Sequence, residues 1–337
     1  MNRQEFLRNL ALGALSLQNV EELATHWVPE KNTMTQQNES FSEVIILGGS
    51  YAGLAAAMAL GRSLRKVLVL DAGEPCNRQT PHSHNFLTQD GQVPAHIGAV
   101  ARAEVLQYPT VRLRKLWVSA VQAVEGGFQV TGAGAEVFQG KKLLLATGVK
   151  DQMPDLPGFA ESWGISVLHC PYCHGYEVKK QELGVLANGE TAFEMARLID
   201  HWSSGLTLFT NGPMNMEKAQ VEKLQAKNIR IIETPIRALE HQAGYLQKVH
   251  FEDGSHHALK ALFARVPFTQ SSAIAKDLGC AFTEMGHIQV NDFKKTNVPG
   301  VFAAGDNTTP MRAVAAAVAA GTMAGAMINH ELIVEDF

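Results

Sequence analysis

Cys170 and Cys173 are the residues whose type and spacing most directly suggest chemistry. They are separated by two residues in the segment HCPYCHGYE, between His169 and His174. Such a pair can form a redox-active disulfide, supply half of a zinc site or, as Cys-x-x-Cys-His, attach a haem. A Cys-x-x-Cys loop that leads into a helical turn presents its first sulfur to backbone N–H groups, which lowers the thiol pKa and favours disulfide exchange. Pro171, which has no N–H, stiffens this loop.

The metal and haem interpretations need features that the rest of the sequence does not supply. A zinc site requires four ligands that converge in a tetrahedron. His169 and His174 directly adjoin the cysteines, and no second Cys/His pair has suitable spacing. A haem would require export of the chain and a distal ligand. We therefore expect a redox pair and no metal site, with Cys76 and Cys280 as bystander thiols.

The composition describes a globular protein of about two domains. The chain has 337 residues, of which 46% are hydrophobic and 18% charged, and its net charge is −4. This charge gives no reason to expect nucleic acid or an anionic membrane as a partner. No apolar run approaches the roughly 20 residues that span a bilayer, so we expect no membrane span.

Residues 1–40 are expected to be a leader or an N-terminal extension. They begin with a basic residue and a short apolar run, similar to a degraded twin-arginine leader that has only Arg3, but no small-x-small cleavage site follows. The same residues also fit an amphipathic helix, and Met34 could be the true start. We expect a cytoplasmic protein, with export as the alternative.

The segment from residue 42 to residue 73 predicts a strand–helix–strand unit that binds a dinucleotide. An apolar strand at residues 44–47 is followed by a glycine turn, a helix at 52–62 and a second strand at 67–70 that ends in Asp71. Gly48 permits the tight turn and Gly53 allows close packing of helix on strand, while Ser50 stands where the fingerprint has its middle glycine. Asp71 can accept a hydrogen bond from a ribose hydroxyl.

Two later strand ends extend this predicted site. The strand at residues 143–145 runs into Ala146-Thr147-Gly148, and a proline-rich segment at 151–159 suggests a crossing between domains. The strand at 301–304 runs into Gly305-Asp306 and then a long helix of small residues. An aspartate beside a helix N-terminus is well placed to bind ribityl hydroxyls, and the helix dipole favours a phosphate.

A second strand–helix–strand unit, with strands at 183–186 and 206–209 and a helix at 191–202, carries a degraded fingerprint. Ala187 replaces its first glycine, and the second strand ends in Thr210-Asn211-Gly212. This end offers neither an acid for a ribose hydroxyl nor arginines for a 2′-phosphate. We expect the fold to be kept and binding of NADPH to be weakened or lost.

In this order, these elements resemble the low-molecular-weight thioredoxin reductase family over residues 42–335. The resemblance implies an α/β protein of two Rossmann-like, doubly wound domains, in which the FAD domain is formed by residues 41–152 and 286–337 around an inserted NAD(P)-like domain, 153–285, that carries the dithiol. It also implies a homodimer and rotation of the domains during turnover. The FAD-binding residues that it implies are Gly48, Ser50, Tyr51, Ala52, Gly53, Asp71, Thr147, Gly148, Gly305, Asp306, Arg312 and Ala313.

Departures from the family pattern indicate a narrower branch. His174 follows the second cysteine where the family has a proton-donating aspartate, and Arg312-Ala313-Val314 stands for Arg-Gln-Ala. CPYCHGYE is similar to the active-site segment of gliotoxin- and holomycin-type dithiol oxidases, which close a disulfide and pass electrons to oxygen. Residues 81–91, PHSHNFLTQDG, also resemble that branch and are expected near the flavin.

The resemblance implies that Cys170 exchanges with the substrate sulfur and that Cys173 faces the flavin, while His174 or His169 moves the proton. We predict oxidation of a small-molecule dithiol or of a thioredoxin-like protein, with oxygen as the electron acceptor. Reduction of a thioredoxin-like disulfide fed by NADPH or another donor is the alternative. A flavin-binding redox sensor is the alternative of another class.

Overall fold

The computed structural model describes residues 41–203 and 205–337, so the predicted leader lies outside the described residues. Residues 41–337 form one compact unit. Its helices are α1 (Tyr51–Arg62), α2 (Pro94–Val105), α3 (Phe159–Ser162), α4 (Pro171–His174), α5 (Gly189–Ile199), α6 (Lys218–Ala226), α7 (Ile274–Asp277) and α8 (Val314–Asp336). Its strands are β1 (Phe41–Leu47), β2 (Val67–Asp71), β3 (Val111–Lys115), β4 (Val118–Val124), β5 (Gly127–Gly132), β6 (Val137–Leu145), β7 (Val149–Asp151), β8 (Val167–Leu168), β9 (Glu182–Leu186), β10 (Gly205–Phe209), β11 (Arg230–Ile232), β12 (Ile236–Gln242), β13 (Tyr245–Phe251), β14 (His256–Ala258), β15 (Ala261–Ala264), β16 (Phe268–Gln270) and β17 (Val301–Ala303).

The first sheet has seven strands in the order β3-β2-β1-β6-β5-β4, with β17 added against β6. Strands β3, β2, β1, β6 and β17 are parallel, while β4 and β5 pair antiparallel as a flap. The apolar runs of β1 and β2 are buried on both faces, as expected for parallel strands covered on both sides. The predicted first strand–helix–strand unit is therefore confirmed, and its strand ends share one edge of the sheet.

Helix α8 packs across α1 on one face of this sheet. A Cβ added at Gly321 would lie 2.0 Å from the carbonyl oxygen of Ala52, and one at Gly325 would lie 2.7 Å from that of Ala56. Small residues on both helices thus bring the two backbones together. By length and composition alone α8 could cross a membrane. Its buried positions, which include Ile328, belong to the core that it forms with α1, so we describe it as a core helix.

The second sheet is fully parallel, in the order β11-β10-β9-β15-β8. Helix α5 covers one face of it, and the three-stranded sheet β12-β13-β14 supports the other through a cluster that contains Phe209 and Phe251. The predicted second strand–helix–strand unit and the fold class of two Rossmann-like domains are confirmed. His256 and His257, which lie in a segment that reads as a polar turn, instead form part of β14.

Two antiparallel strands, β7 and β16, form the crossing between the domains. After β16, Ile274, Ala275 and Cys280 pack with the strands of the first sheet. The domain boundaries at 152 and 285 stay predictions.

Candidate functional site

The two cysteines of the CxxC motif lie at the start of the short helix α4. Cys170 is its N-cap residue, with extended backbone (φ −127°, ψ 113°), and Pro171 occupies the first helical position. Both cysteines are free thiols, and their sulfur atoms are 2.8 Å apart. The backbone N–H groups of Cys173 and His174 both donate to the carbonyl oxygen of Cys170, at 3.3 and 3.2 Å. The loop therefore holds the two sulfurs at a separation from which a disulfide can close.

The two thiols have opposite proton affinities. The hydrogen bond from Cys173 lowers the pKa of Cys170 to about 7, helped by the backbone N–H groups of Cys173 and Tyr172 and opposed by burial. The same hydrogen bond, together with burial and the neighbouring Cys170 thiolate, raises the pKa of Cys173 well above its ordinary range. Cys170 is therefore the thiolate of the pair and Cys173 the proton-bearing partner.

The two flanking histidines lie in different surroundings. Burial lowers the pKa of both His169 and His174 to about 4, helped at His169 by the positive charge of Arg312 and at His174 by the neighbouring rings of His169 and His84, so both rings are neutral at pH 7. The His169 ring lies against Trp163, with centroids 6.0 Å apart. The His174 ring meets the ring of His84 edge-on, at a centroid distance of 6.4 Å.

His84 of the segment 81–91 lies against the dithiol segment, at His174 and Glu177; the position of this segment near the flavin stays a prediction. His84 Nδ1 lies 3.5 Å from Glu177 Oε1 and 3.8 Å from Asp90 Oδ1. A chain of groups thus leads from His174 through His84 to two solvent-accessible carboxylates. Of the two predicted proton carriers, His174 is the one with this connection to solvent.

The predicted dinucleotide loop follows β1 and has the close contacts of a phosphate-binding turn. Gly48 has φ +104°, and a Cβ there would lie 2.2 Å from the carbonyl oxygen of Ala146. A Cβ at Gly53 would lie 1.8 Å from the carbonyl oxygen of Gly48. Ser50 is the N-cap of α1 but makes no side-chain capping hydrogen bond to any described residue. The first N–H groups of α1 therefore remain available to an anion.

Other predicted cofactor residues gather at the same edge of the sheet. Asp71, at the end of β2, accepts a hydrogen bond of 3.0 Å from Gly49 N. The hydroxyl of Tyr51 accepts from Asn77 Nδ2 at 3.2 Å, and burial raises its pKa. Gly148, like Gly48, has positive φ (+65°). Thr147 precedes it, and Ala52 packs beside Gly305 and Gly321.

Charged residues of the same sheet edge follow the end of β17. Asp306 is enclosed enough that burial raises its pKa. The thiol of Cys76 lies 3.6 Å from Asp306 Oδ2; although Cys76 is exposed as a residue, the local enclosure of its sulfur raises the pKa to about 11. Ala313 is the N-cap of α8, and the preceding Arg312 directs its guanidinium to Asp151.

Two buried polar atoms indicate whether this edge of the first sheet can hold a flavin nucleotide. Asn307 Oδ1 and Arg312 Nε are shielded from solvent and have no hydrogen-bond partner among the described residues. Unpaired buried polar atoms are costly, and a ligand that carries hydroxyl, carbonyl and phosphate groups would satisfy them. Together with the open N-terminus of α1, they fit FAD.

The N-terminus of α5, in the second domain, is closed by its own side chains. Asn188 Oδ1 accepts from the N–H groups of Gly189 and Asn215, both at 2.8 Å. Asn188 Nδ2 donates to the carbonyl oxygens of Pro213 (2.9 Å) and Thr210 (3.3 Å). These bonds tie the loop after β10 onto the helix end where a second pyrophosphate would bind.

Two acidic residues, Glu190 and Glu233, add to the closure of the N-terminus of α5. Glu190 lies in the first turn of α5 and accepts a hydrogen bond of 2.5 Å from Gln220. Glu233 accepts a hydrogen bond from Met214 N in the same loop region, at 2.7 Å. Carboxylates at a helix N-terminus occupy the electrostatic place of a phosphate. The N-terminus of α5 is thus occupied by the protein's own side chains.

Sequence reasoning missed three groups around the dithiol: Asp151, Trp163 and Glu177. Asp151 accepts from Arg312 and from the indole of Trp163. Asp151 and Trp163 belong to no recognisable motif, and Glu177 ends the segment CPYCHGYE without a role that the sequence indicates. Of the three, only Asp151 had a local sequence signal. It ends a short strand at the start of a proline-rich segment, which indicates a position at the edge of a sheet.

Comparison with known proteins agrees with this arrangement. Residues 42–321 match the family model described as "Pyridine nucleotide-disulphide oxidoreductase". "Thioredoxin reductase sirT" of Leptosphaeria maculans is 32% identical over 315 residues, covering 88% of this chain and 96% of that protein. The structure of a putative thioredoxin reductase TrxB from Bacillus anthracis has 30% identity and a TM-score of 0.84, covering 88% of this chain and 100% of that one.

The crystal structure of HlmI is similar to the same degree, with 32% identity and a TM-score of 0.84 over 90% of this chain and 96% of that chain. The family match spans residues 42–321, and each of these three relatives covers at least 88% of this chain. The chain therefore belongs to the pyridine nucleotide-disulphide oxidoreductase family, and is a thioredoxin reductase-like, FAD-dependent oxidoreductase that acts on sulfur groups.

Proposed function

We propose that this enzyme oxidises a dithiol to a disulfide through Cys170 and Cys173 and that oxygen is the final electron acceptor. The closed N-terminus of α5 carries this proposal. Both directions of electron flow need the dithiol, but only NADPH-fed reduction needs a second dinucleotide site. Asn188 uses the Gly189 N–H that a pyrophosphate would take, and Glu190 adds negative charge beside it.

The oxidised pair begins the reaction. A substrate thiolate attacks Cys170 of the Cys170–Cys173 disulfide, which forms a mixed disulfide and releases Cys173. The second substrate thiol then attacks the substrate sulfur of the mixed disulfide and expels Cys170. A thiol with a pKa of about 7 is a good leaving group near neutral pH. The substrate leaves as a disulfide, and both cysteines are left reduced.

Regeneration of the enzyme disulfide requires removal of two electrons and of the Cys173 proton. When bound, FAD supplies a two-electron acceptor that oxygen can reoxidise to give peroxide. The neutral His174 ring can take up the proton and pass it towards His84, whose other contacts are the carboxylates of Glu177 and Asp90. The residues that would hold FAD are the loop from Gly48 to Gly53 and those at the end of β17.

Disulfide reduction of a thioredoxin-like protein is the second candidate, because the relatives' printed names include thioredoxin reductase. The nature of the substrate, either a small-molecule dithiol or a thioredoxin-like protein, stays a prediction. The homodimer and the cytoplasmic location also stay predictions.

An anaerobic and an aerobic experiment together separate the two directions of electron flow. The purified holoenzyme is mixed with NADPH while the visible absorbance of its oxidised flavin is followed. Bleaching at micromolar NADPH would exclude the oxidase proposal. Oxygen uptake and peroxide release driven by dithiothreitol, lost in Cys170→Ser, is the expected result. A redox sensor would turn over slowly with every donor.

A further inference from the structure

A buried ion pair joins the crossing strands to the end of the FAD domain beside the redox centre. Arg312 donates from Nη1 to Asp151 Oδ1 at 2.6 Å and from Nη2 to Asp151 Oδ2 at 2.9 Å. The exposed fractions of the two side chains are 14% and 8%. Bidentate pairs of this kind fix orientation as well as distance. The guanidinium therefore turns Nη1 and Nη2 to this carboxylate, while its Nε lies 3.7 Å from Asp306 Oδ2.

The inserted domain contributes the third member of the cluster. Trp163 Nε1 donates to Asp151 Oδ2 at 3.1 Å. Trp163 is 4% exposed and stacks on Phe159 within the core of its own domain. Its other neighbour is the ring of His169, the residue directly before Cys170. Asp151 thus binds one side chain from each domain.

Two more contacts cross the same interface close by. His84, from the FAD domain, faces Glu177 and His174 of the dithiol segment. At Gly164, the next residue after Trp163, a Cβ would lie only 2.9 Å from Thr80 Oγ1. The contacts therefore surround the dithiol on several sides, and the Asp151 cluster is the most buried of them.

We propose that Asp151, clamped by Arg312 and bonded by Trp163, is a latch that keeps the dithiol domain docked on the FAD domain throughout turnover. This inference rests on the proposed oxidation, because a dithiol that takes electrons from substrate and passes them to the flavin needs no visit to a second nucleotide site. The domain rotation that the family resemblance implies would have to break either the Trp163 bond or the two Arg312 bonds to this carboxylate. These three residues are positioning residues, which hold Cys170 and Cys173 through the domain that carries them.

A covalent bridge across the interface tests whether docking is permanent. Thr80→Cys and Gly164→Cys are combined in a Cys76→Ser background, and the holoenzyme is treated with 1,3-dichloroacetone while Cys170 and Cys173 are held as a disulfide. The thioether bridge resists the dithiol used in the assay. The same protein without the bridge is the control. We expect dithiothreitol-driven oxygen uptake within twofold of that control, and a larger loss on bridging overturns permanent docking.

The rate of bridging tests the latch itself without any turnover. Asp151→Asn and Trp163→Phe are added together to the cysteine variant, and bridge formation is followed by intact-mass spectrometry. We expect it to slow at least tenfold relative to the parent, whereas Trp117→Phe, at an exposed indole in the FAD domain, leaves it unchanged. An unchanged rate in the double variant overturns the latch. If the double variant does not fold, Trp163→Phe alone is expected to give a smaller slowing, and no slowing again overturns the latch.

Rescue distinguishes a positioning role from a general structural one. Once bridged, the latch variant should recover the anaerobic rate of flavin bleaching by dithiothreitol that the bridged parent shows. Persistent loss after bridging would mean that these residues act in another way. Bleaching of the flavin by NADPH would refute the oxidase proposal. The rates of bridge formation would still test the latch independently.

Discussion

The hydrogen bond from Cys173 to Cys170 makes a quantitative prediction about thiol reactivity. It is the largest of the influences that lower the pKa of Cys170 from its ordinary 9.0 to about 7. That change corresponds to about 3 kcal/mol in favour of the thiolate. Cys173→Ala removes the donor and leaves burial to act against the remaining backbone N–H groups. We expect the Cys170 pKa to return to about 8.5.

The expected rates of alkylation follow from two opposing effects. At pH 7 the thiolate fraction of Cys170 would fall from about one half to about 3%. A more basic thiolate is also a better nucleophile, by about fivefold for this change. The variant should therefore react about three times more slowly at pH 7 and about five times faster at pH 10, so that the two pH profiles cross near about pH 8.

The assay measures iodoacetamide incorporation at Cys170 in the reduced protein by peptide mass spectrometry between pH 5 and 10. Both proteins carry Cys76→Ser, which removes the exposed third thiol. Cys173→Ser is the matched control, because its hydroxyl still donates and should keep part of the lowered pKa. Superimposable profiles for the parent and Cys173→Ala would refute the assigned cause of the low pKa.

Three further predictions concern other parts of the site. Gly53→Ala would force its Cβ to 1.8 Å from the Gly48 carbonyl, so we expect loss of most bound FAD, measured as the flavin-to-protein absorbance ratio. Asn188→Gly with Glu190→Ala reopens the N-terminus of α5, and flavin bleaching by NADPH should accelerate at least tenfold (about 1.4 kcal/mol) in anaerobic stopped flow. Because the His174 pKa lies at about 4 in the fold and at an ordinary 6.5 in the unfolded chain, the unfolded state binds more protons between these values. The free energy of unfolding should then fall with pH from 6.5 to 4, and His174→Asn should remove up to about 3 kcal/mol of that fall in urea titrations.

The parts of the fold that the sequence predicted are those with local signals. Both strand–helix–strand units were recognised because buried parallel strands form apolar runs and because glycines mark each turn. Those turns demand positive φ or close approach, as at Gly48 and Gly53. The dithiol helix was recognised for the same reason, since its residues are adjacent in sequence. The differences were small shifts of element ends and the strand at His256, in a segment that reads as a polar turn.

The unpredicted parts depend on pairs that are distant along the chain. Asp151 and Arg312 are 161 positions apart, and each has an ordinary local context. Only the crossing of β7 and β16 brings them together. A single charged residue belongs to no periodic pattern and to no sequence motif. Its pairing with a distant residue is therefore visible only in the folded structure.

The direction of electron flow depends on which helix N-terminus can bind a nucleotide, that of α1 in the first strand–helix–strand unit or that of α5 in the second. At α1, the N-cap Ser50 leaves the backbone donors to a ligand, and the first turn carries no acidic residue. At α5, Asn188 takes a donor for itself and draws the following loop over the helix end, and Glu190 stands in the first turn. An anion at α1 gains free hydrogen bonds, whereas one at α5 must displace an amide already bonded four times and approach a carboxylate. Under the proposed dithiol oxidation, this local difference lets the first unit keep its nucleotide while the second refuses one, and the flavin then receives its electrons from thiols.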